Sequence, residues 1–282
     1  MGSYWSYRLA AELSRRLPLP AAYRLARQLA DGAFAQRAGA REAVCANLSV
    51  LLGGVPEAHA ETAREVFRNF GRYLVEVFRL PDDGSAAVAI EGREHLDAAA
   101  RHGRGVIILT AHVGNWELGA CVLSRLGARV AAVALPHDDP RMDALINRQR
   151  HRCRVEAIRV GSDAPRTILA RLREGCLLGV LGDWDIAGDG IARPFGQGRM
   201  LFPRGPAVLS LRSRAPIVPS LIVREGVGAF RLRCEPPLWP QRAGQAGASI
   251  EGLVGAYAER ISAWVQQYPE QWLMFRPVVS AQ

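Results

Sequence analysis

The feature that most constrains the fold of this chain is a change of pattern that begins at about residue 86. From there on, short apolar runs of strand length alternate with segments of helical length. Strands that are joined by helices pack as a sheet with helices on both faces. The sequence therefore predicts an α/β fold with a central, mostly parallel sheet flanked by helices over residues 86–282.

The individual elements follow from the apolar spacing and from the positions of glycine and proline. The predicted strands cover residues 88–90, 105–110, 129–135, 156–160, 176–181, 217–223 and 230–234. The predicted helices cover residues 94–101, 116–126, 140–151, 165–173, 206–212 and 250–267.

The region before this pattern, residues 1–85, is predicted to be helical. Trp5, Leu9 and Leu13 recur at helical spacing in its first helix, which suits either a membrane interface or packing against the protein's own core. We expect a helical, membrane-associating region over residues 1–85 that forms one integrated domain with the α/β core. The expected helices of this region cover residues 4–17, 20–37, 40–52 and 58–80.

The charge of the chain bears on its partners. The formal net charge is +9, and all 36 basic residues are arginine. Such a charge indicates an anionic partner, which could be a phospholipid surface, an acidic carrier protein or nucleic acid. The arginines are spread along the chain, whereas a nucleic-acid-binding protein would cluster them with aromatic side chains on one face. We therefore expect no nucleic-acid partner.

Two further properties bear on the compartment. The chain has no run of roughly 18 apolar residues and no signal-peptide core, so we expect a peripheral protein at most. Its five cysteines lack the C-x-x-C spacing of a zinc cluster and show no disulfide framework. This cysteine usage fits a reducing cytoplasm.

The segment 106–118 carries the chemistry. It reads as a buried strand, a turn that contains Gly114, and a helix whose N-cap is Asn115. His112 then lies at the carboxyl end of the strand, the edge where open α/β sheets place their active sites. Glu117 follows five residues later, and the turn lets its carboxylate fold back onto the imidazole. Taken alone, this spacing also fits a histidine with a structural role.

A His–carboxylate pair at this edge has a clear use. The carboxylate fixes the imidazole tautomer while the other ring nitrogen takes a proton from an alcohol, which becomes the nucleophile. The chain has no G-x-S-x-G nucleophile motif, and Cys121 falls inside the following helix. Direct transfer is therefore favoured over a covalent enzyme intermediate.

Several stretches around this pair form a recognisable set. The H-x-x-x-x-[D/E] motif from His112 to Glu117 resembles the signature of the bacterial lipid A late acyltransferases, the lauroyl and myristoyl acyltransferases, together with the related phosphatidylinositol-mannoside acyltransferases. The resemblance covers nearly the whole chain, with the supporting stretches in the same order. These stretches are residues 64–81, 91–96, 203–207, 215–219 and 268–272.

The resemblance implies a glycerolipid acyltransferase-like fold with His112 as the general base and Glu117 as its orienting partner. It implies an O-acyltransferase that moves a fatty acyl group from a thioester of acyl carrier protein or coenzyme A to a hydroxyl of a glycolipid. A lipid A precursor is the first candidate acceptor, and phosphatidylinositol mannoside or another polar lipid is the alternative. The thioester is a substrate, so no cofactor or metal is expected.

The same resemblance implies a peripheral enzyme at the cytoplasmic face of the inner membrane, in contact with its anionic surface. Six residues are predicted to bind substrate: Asn115, Arg148, Arg150, Asp183, Asp185 and Arg204. The arginines suit phosphate groups, although those on the predicted helix 140–151 also fit an ordinary solvated face.

Asp183 and Asp185 follow a buried strand, so they are expected to shape the pocket beside His112. The Asp-Trp-Asp sequence leaves a remote alternative, a metal-dependent glycosyltransferase, which a chelator would inactivate. Some relatives carry a further acidic residue where this chain has Ala192 and Arg193. Whether a third acidic residue takes part in catalysis is left open by the sequence.

Overall fold

The N-terminal region is helical, as predicted. A computed structural model describes residues 4–80, 86–240 and 249–281, so the predicted boundary at residue 85 lies outside the described residues. The fourth helix begins later than predicted because Pro56 first starts a single 3-10 turn, Pro56–His59. The helices are α1 (Tyr4–Arg16), α2 (Leu19–Gln36), α3 (Ala38–Leu52) and α4 (Ala60–Arg79).

The predicted alternation of strands and helices is confirmed in the rest of the chain. The first half contains β1 (Ala87–Glu91), α5 (Arg93–Arg101), β2 (Val106–Thr110), α6 (Trp116–Arg125), β3 (Val130–Ala134), α7 (Pro140–Arg152), β4 (Val155–Arg159), α8 (Ala164–Arg173) and β5 (Leu177–Leu181). The second half contains β6 (Ile191–Phe195), β7 (Gly198–Phe202), α9 (Gly205–Ser213), β8 (Ile217–Gly226), β9 (Ala229–Cys234), α10 (Ile250–Gln267), a 3-10 turn (Pro269–Gln271) and β10 (Val279–Ala281).

Seven strands form the central sheet, in the order β1-β9-β8-β2-β5-β3-β4. All neighbours from β8 to β4 are parallel. β9 is antiparallel to β8, and β1 is parallel to β9. The prediction of a mostly parallel sheet flanked by helices is therefore confirmed. At its centre β2 and β5 are neighbours, so the turns that follow them lie side by side.

A second, smaller sheet was missed by the sequence analysis. β6, β7 and β10 form a three-stranded antiparallel sheet in the order β10-β7-β6. β6 contains Pro194 and lacks a clear alternation of apolar and polar residues, so it does not read as a strand. β10 has only three residues. β6 and β7 form a hairpin through Gly196 and Gln197, and β10 pairs with β7 from residues 279–281.

The central sheet is covered by apolar side chains on both faces. Ile107 and Leu109 of β2 pack into one hydrophobic cluster, and Val106 and Ile108 pack into the other. The first cluster also contains Val66 of α4, so the N-terminal helices share the main core with the sheet. Because β2 is buried on both faces, its carboxyl end is held firmly where the site begins.

Candidate active site

His112 lies in the turn that joins β2 to α6. Gly114 allows this turn: its φ is +68°, and a Cβ there would lie 1.8 Å from the carbonyl oxygen of Ile222 in β8. The backbone N–H of Gly114 donates to the carbonyl of Gln271, and the N–H of Leu273 donates to the carbonyl of His112. The turn is thus held between β8 and the segment that follows α10.

The partner of the His112 ring is Asp183, two residues beyond the end of β5. His112 Nδ1 lies 2.8 Å from Asp183 Oδ1, and the His112 backbone N–H donates to Oδ2 at 2.8 Å. Thr110 of β2 lies opposite Leu181 of β5 in the sheet. His112 and Asp183 each follow their strand end by two residues, so they lie side by side. We assign the proton to Nδ1 because a carboxylate only accepts hydrogen bonds, which leaves a lone pair on Nε2.

Asp183 is fully buried and accepts a third hydrogen bond, from the indole Nε1–H of Trp272 at 3.0 Å. Burial alone would raise the pKa of Asp183, but the charge of His112 and the hydrogen bonds from His112 and Trp272 outweigh it and lower that pKa. The His112 side chain is 19% exposed, so a substrate can reach it. An ionised carboxylate behind an accessible imidazole suits general-base chemistry.

The predicted pairing of Glu117 with His112 is wrong. Glu117 is bound by Arg150 of α7, whose Nε lies 3.0 Å from Glu117 Oε2, and both side chains are mostly buried. Glu117 stands in the first turn of α6, within reach of a guanidinium on α7, and a buried carboxylate needs such a partner. Asp183 occupies the position beside the imidazole that was expected for Glu117. A catalytic role for Glu117 itself stays a prediction.

Two predicted substrate-binding residues are engaged inside the protein. Arg150 was expected to hold a phosphate, but its guanidinium binds Glu117 and the side chain of Asn147. Asn115 is fully buried: its Oδ1 accepts from the N–H of Leu118 at 3.0 Å, and its Nδ2 donates to Glu76. The predicted N-cap is therefore confirmed, but these two side chains position the turn and α6 rather than facing a substrate.

A buried polar cluster missed by the sequence analysis lies behind the turn. Glu76 of α4 forms an ion pair with Arg224 of β8 and accepts a hydrogen bond from the hydroxyl of Tyr23 in α2. Arg224 also donates to Asn69 at 2.7 Å. Glu76 further accepts the Asn115 amide at 2.7 Å, so the cluster connects the N-terminal helices to the start of α6. Polar residues among apolar ones in the α4 sequence were the available signal, but they did not reveal the partners.

Aromatic rings surround the imidazole. The ring centroid of Trp116 lies 5.0 Å from that of His112, and the centroid of Trp184 lies 6.5 Å from it. The guanidinium carbon of Arg276 stacks 3.8 Å from the centroid of Trp184. The exposed Arg276 thus places a positive charge close to the site, which the sequence analysis did not foresee.

The remaining predicted substrate-binding residues are placed as follows. Asp185 Oδ2 accepts from the N–H of Gly190 at 2.8 Å, whereas its Oδ1 is buried and has no partner within the described part of the chain. The Nε of Arg204, which precedes α9, is likewise buried and unpartnered there. Arg148 is exposed on α7. Their roles toward substrate stay predictions.

Two surface cavities lie elsewhere. One of about 560 Å³ lies at the amino ends of β3, β4 and β5, and one of about 850 Å³ lies along β4 and α7. A large cavity often marks a functional site, but neither is lined by His112 or Asp183. We therefore identify the site by its chemistry, at the carboxyl ends of β2 and β5.

Two properties of the described residues bear on membrane crossing and metal binding. Within residues 4–80, 86–240 and 249–281, no helix has the length and apolar character needed to cross a membrane. The same residues contain no group of three or more His, Cys, Asp or Glu side chains arranged to hold a metal ion. Asp183, which the glycosyltransferase alternative would use as a metal ligand, already has His112 and Trp272 on its oxygens.

Comparison with known proteins places this geometry in context. A phosphatidylinositol mannoside acyltransferase of Mycobacterium tuberculosis is 28% identical over 252 residues, covering 86% of this chain and 78% of that protein. One from Mycolicibacterium smegmatis is 26% identical over 256 residues, covering 88% and 82%. The lipid A biosynthesis palmitoleoyltransferase of Escherichia coli is 26% identical over 226 residues, covering 77% and 71%.

Among solved structures, the 1-acyl-sn-glycerophosphate acyltransferase PlsC from Thermotoga maritima matches with a TM-score of 0.44 and 15% identity, over 89% of this chain and 99% of that one. The family model for bacterial lipid A biosynthesis acyltransferases matches residues 1–278. The resemblance seen in the sequence is therefore confirmed. The chain belongs to the bacterial lipid A biosynthesis acyltransferase family and is an acyltransferase.

Proposed function

We propose that this protein is an O-acyltransferase that moves a fatty acyl group from a thioester to a hydroxyl of a glycolipid, with His112 as general base. The observation that carries the proposal is the pairing of His112 Nδ1 with the buried Asp183 carboxylate at 2.8 Å. This pairing leaves Nε2 free to accept a proton on a ring that a substrate can reach.

The reaction needs one proton acceptor and one acyl donor. His112 Nε2 takes the proton of the acceptor hydroxyl as its oxygen attacks the thioester carbonyl. The tetrahedral intermediate collapses, the carbon–sulfur bond breaks, and the departing thiolate takes the proton from the imidazolium. Asp183 stabilises the imidazolium between these steps and keeps the ring oriented. The products are the acyl ester and the free thiol, so no redox cofactor takes part.

The donor and acceptor are proposed by chemical class. An acyl carrier protein and coenzyme A both carry the acyl thioester on an arm that begins at a phosphate, and the net charge of +9 favours an anionic donor. The relatives' names support a glycolipid acceptor, either a lipid A precursor or phosphatidylinositol mannoside. Arg204, with its unpartnered Nε before α9, is the residue we propose for an acceptor or donor phosphate, and the exposed Arg148 of α7 is a second candidate.

We also propose that the protein works at the cytoplasmic face of the inner membrane as a peripheral enzyme. Support comes from apolar side chains exposed on the N-terminal helices: Trp5 and Leu9 of α1 are 63% and 61% exposed, and Leu29 of α2 is 62% exposed. Arg8, next to Trp5 on α1, adds positive charge. Exposed aromatic and aliphatic side chains beside arginine suit an anionic lipid surface.

Sedimentation with lipid vesicles tests the membrane proposal. Wild type is expected to bind vesicles rich in phosphatidylglycerol at low salt and to dissociate at high salt, because exposed charges are screened. Replacing Trp5 and Leu9 by alanine is expected to weaken binding, whereas Val227→Ala, at a residue that is also 62% exposed, is the matched control. Equal binding by all three proteins would contradict this surface.

Single-turnover transfer tests the reaction. Radiolabelled acyl groups on acyl carrier protein and on coenzyme A are offered separately with a total lipid extract, to wild type and to His112→Ala. Wild type is expected to label a lipid, and the labelled product identifies the acceptor. Loss of a general base is expected to lower the rate roughly 10²–10⁴-fold. Equal rates for the two proteins would show that His112 has a structural role only.

A further inference from the structure

Arg276 lies on the segment that follows the last 3-10 turn, and the acyl-transfer mechanism does not use it. Its guanidinium carbon stacks 3.8 Å from the ring centroid of Trp184, and that centroid lies 6.5 Å from the centroid of His112. Trp184 directly follows Asp183, the partner of the His112 ring. The indole therefore neighbours both the guanidinium and the imidazole, and the charge of Arg276 lies near the proposed general base.

The backbone on both sides of Arg276 is anchored in the core. Asn47 of α3, which is 1% exposed, donates from its Nδ2 to the carbonyl of Arg276 at 2.8 Å, and its Oδ1 accepts from the N–H of Val278 at 3.2 Å. The ring of Phe275 packs edge-on against Phe67 of α4, with centroids 4.9 Å apart. Buried contacts thus set the position of Arg276, although its own side chain is exposed.

The charge of Arg276 is left available for a ligand. Within the part of the chain that the structure describes, its guanidinium contacts an aromatic face and forms no ion pair. The arginines in the interior behave differently: Arg150 is paired with Glu117, and Arg224 is paired with Glu76. Arg276 is therefore held in place by stacking rather than by a carboxylate that would neutralise it.

Stacking also leaves the hydrogen-bonding edge of the guanidinium open. The group is planar, so its face packs on an aromatic ring while its N–H groups point outward in the same plane. Two of these N–H groups match two oxygens of a phosphate and can donate to both at once. The stack restricts the side chain before a ligand arrives, which lowers the entropy cost of binding. This arrangement suits a phosphate group.

We propose that Arg276, stacked on Trp184, binds a phosphate of the acceptor lipid and so selects phosphate-bearing glycolipids. The inference rests on the proposed acyl transfer to a glycolipid, because that function brings a lipid headgroup to His112. The donor fits this position less well, since the long arm of acyl carrier protein or coenzyme A separates its phosphate from the thioester. A headgroup phosphate close to the reacting hydroxyl can reach a guanidinium that shares an indole with the imidazole.

Calorimetric titration with two short-chain lipids tests the phosphate site without any transfer step. The probes are dioctanoyl phosphatidylinositol and a neutral glucosyl diacylglycerol with the same chains, both kept below their critical micelle concentrations. Wild type is expected to bind the phosphate-bearing lipid roughly 10–100-fold more tightly, the range for hydrogen bonds to a charged group. In Arg276→Gln this preference should disappear, because glutamine carries no positive charge.

Two further variants separate a bidentate phosphate contact from a general effect of charge. Arg276→Lys keeps the charge but loses the planar fork, so it should recover only part of the preference. Arg104→Gln removes another exposed arginine, which precedes β2 at the opposite end of that strand from His112, and should bind both probes as wild type does. No preference in wild type, full preference in Arg276→Gln, or an equal loss in Arg104→Gln would overturn the proposal.

Steady-state transfer assays show which substrate carries the phosphate. With the acceptor that single-turnover labelling identifies, Arg276→Gln is expected to raise the KM for the acceptor roughly 10-fold or more. The kcat and the KM for the thioester should stay within a factor of about two of wild type. A raised KM for the thioester alone would assign Arg276 to the donor and contradict the proposal.

The two experiments also distinguish a failure of this inference from a failure of the proposed function. His112→Ala should lose transfer but keep the calorimetric preference for the phosphate-bearing lipid. A wild type that transfers no acyl group but keeps the preference would contradict the proposed function and not the phosphate site. Normal transfer by wild type with an unchanged KM for the acceptor in Arg276→Gln would overturn the role of Arg276 alone.

Discussion

Two buried carboxylates, Asp183 and Glu117, are held by different kinds of partner. Asp183 follows β5 and accepts hydrogen bonds from His112 and Trp272. Glu117 begins α6 and forms an ion pair with Arg150. Asp183 is thus held by hydrogen-bond donors that include His112, the proposed general base, whereas Glu117 is neutralised by a guanidinium.

The difference teaches that spacing to a histidine does not identify its partner. Glu117 is five residues from His112 and binds a guanidinium on another helix, whereas Asp183 is 71 residues away and touches the ring. A carboxylate that is held by neutral hydrogen-bond donors keeps a negative charge that can stabilise an imidazolium. A carboxylate in an ion pair is already neutralised by its cation. We therefore expect Asp183 to affect the chemical step and Glu117 to affect mainly the stability of the fold.

The largest effect is expected from Asp183→Asn. The amide keeps the shape of the side chain but cannot stabilise the imidazolium or fix the tautomer, so kcat should fall roughly 10²–10⁴-fold. Pre-steady-state transfer assays on protein of verified native circular dichroism measure this. If kcat stayed within a factor of about two of wild type, a role for Asp183 in the chemical step would be ruled out.

Glu117→Gln is expected to act on stability first. It leaves the buried guanidinium of Arg150 without its counter-charge, at a cost of roughly 3 kcal/mol in the free energy of unfolding. Urea denaturation measures this loss, and the double variant Glu117→Gln with Arg150→Gln should recover part of it. A kcat loss as large as that of Asp183→Asn, in protein that is fully folded, would restore Glu117 as a direct catalytic partner.

The pH dependence of stability tests the ionised state of Asp183. The pKa of Asp183 is lowered from 3.8 in the folded protein, so its contribution is fully present above that value and is lost as the pH falls through the folded pKa. The difference in unfolding free energy between wild type and Asp183→Asn should thus shrink as the pH falls below 3.8. Denaturant titrations at several acidic pH values measure this difference, and a difference that grew as the pH fell below 3.8 would contradict the prediction.

The smallest effect is expected at an exposed counterpart of the Glu117 pair. Glu156 binds Arg171 on the surface at 2.6 Å, with the two side chains 43% and 32% exposed. Solvent screens such a pair, so Glu156→Gln should change the unfolding free energy by less than about 1 kcal/mol. Parallel urea titrations of Glu156→Gln and Glu117→Gln provide the measurement. Equal losses of unfolding free energy would show that burial does not determine how much these ion pairs contribute to stability.

Much of this molecule could be predicted from sequence because its signals are local. The strand–turn–helix around His112, the N-cap at Asn115 and the limits of α10 all follow from residues close together in the chain. The place of β10 in the small sheet could not be predicted, because its paired residues in β7 lie 79 or more positions away.

The site divides in the same way. His112 and Asp183 were both found, since each follows a buried apolar run. Their pairing was not predicted, because it depends on β5 lying next to β2, and the order of strands in a sheet cannot be inferred from a single sequence. The partner of Glu117 was missed for the same reason: α7 must pack beside α6 before Arg150 can reach it.

The most direct test of the account is an NMR measurement of the His112 ring in protein labelled with nitrogen-15 at histidine. The signals of His112 are assigned by their loss in His112→Ala. We predict that Nδ1 carries the proton and Nε2 is unprotonated at neutral pH, and that the Nδ1–H signal shifts or vanishes in Asp183→Asn but persists in Glu117→Gln. The reverse result, a ring insensitive to Asp183 and changed by Glu117, would contradict the pairing on which the proposed mechanism rests.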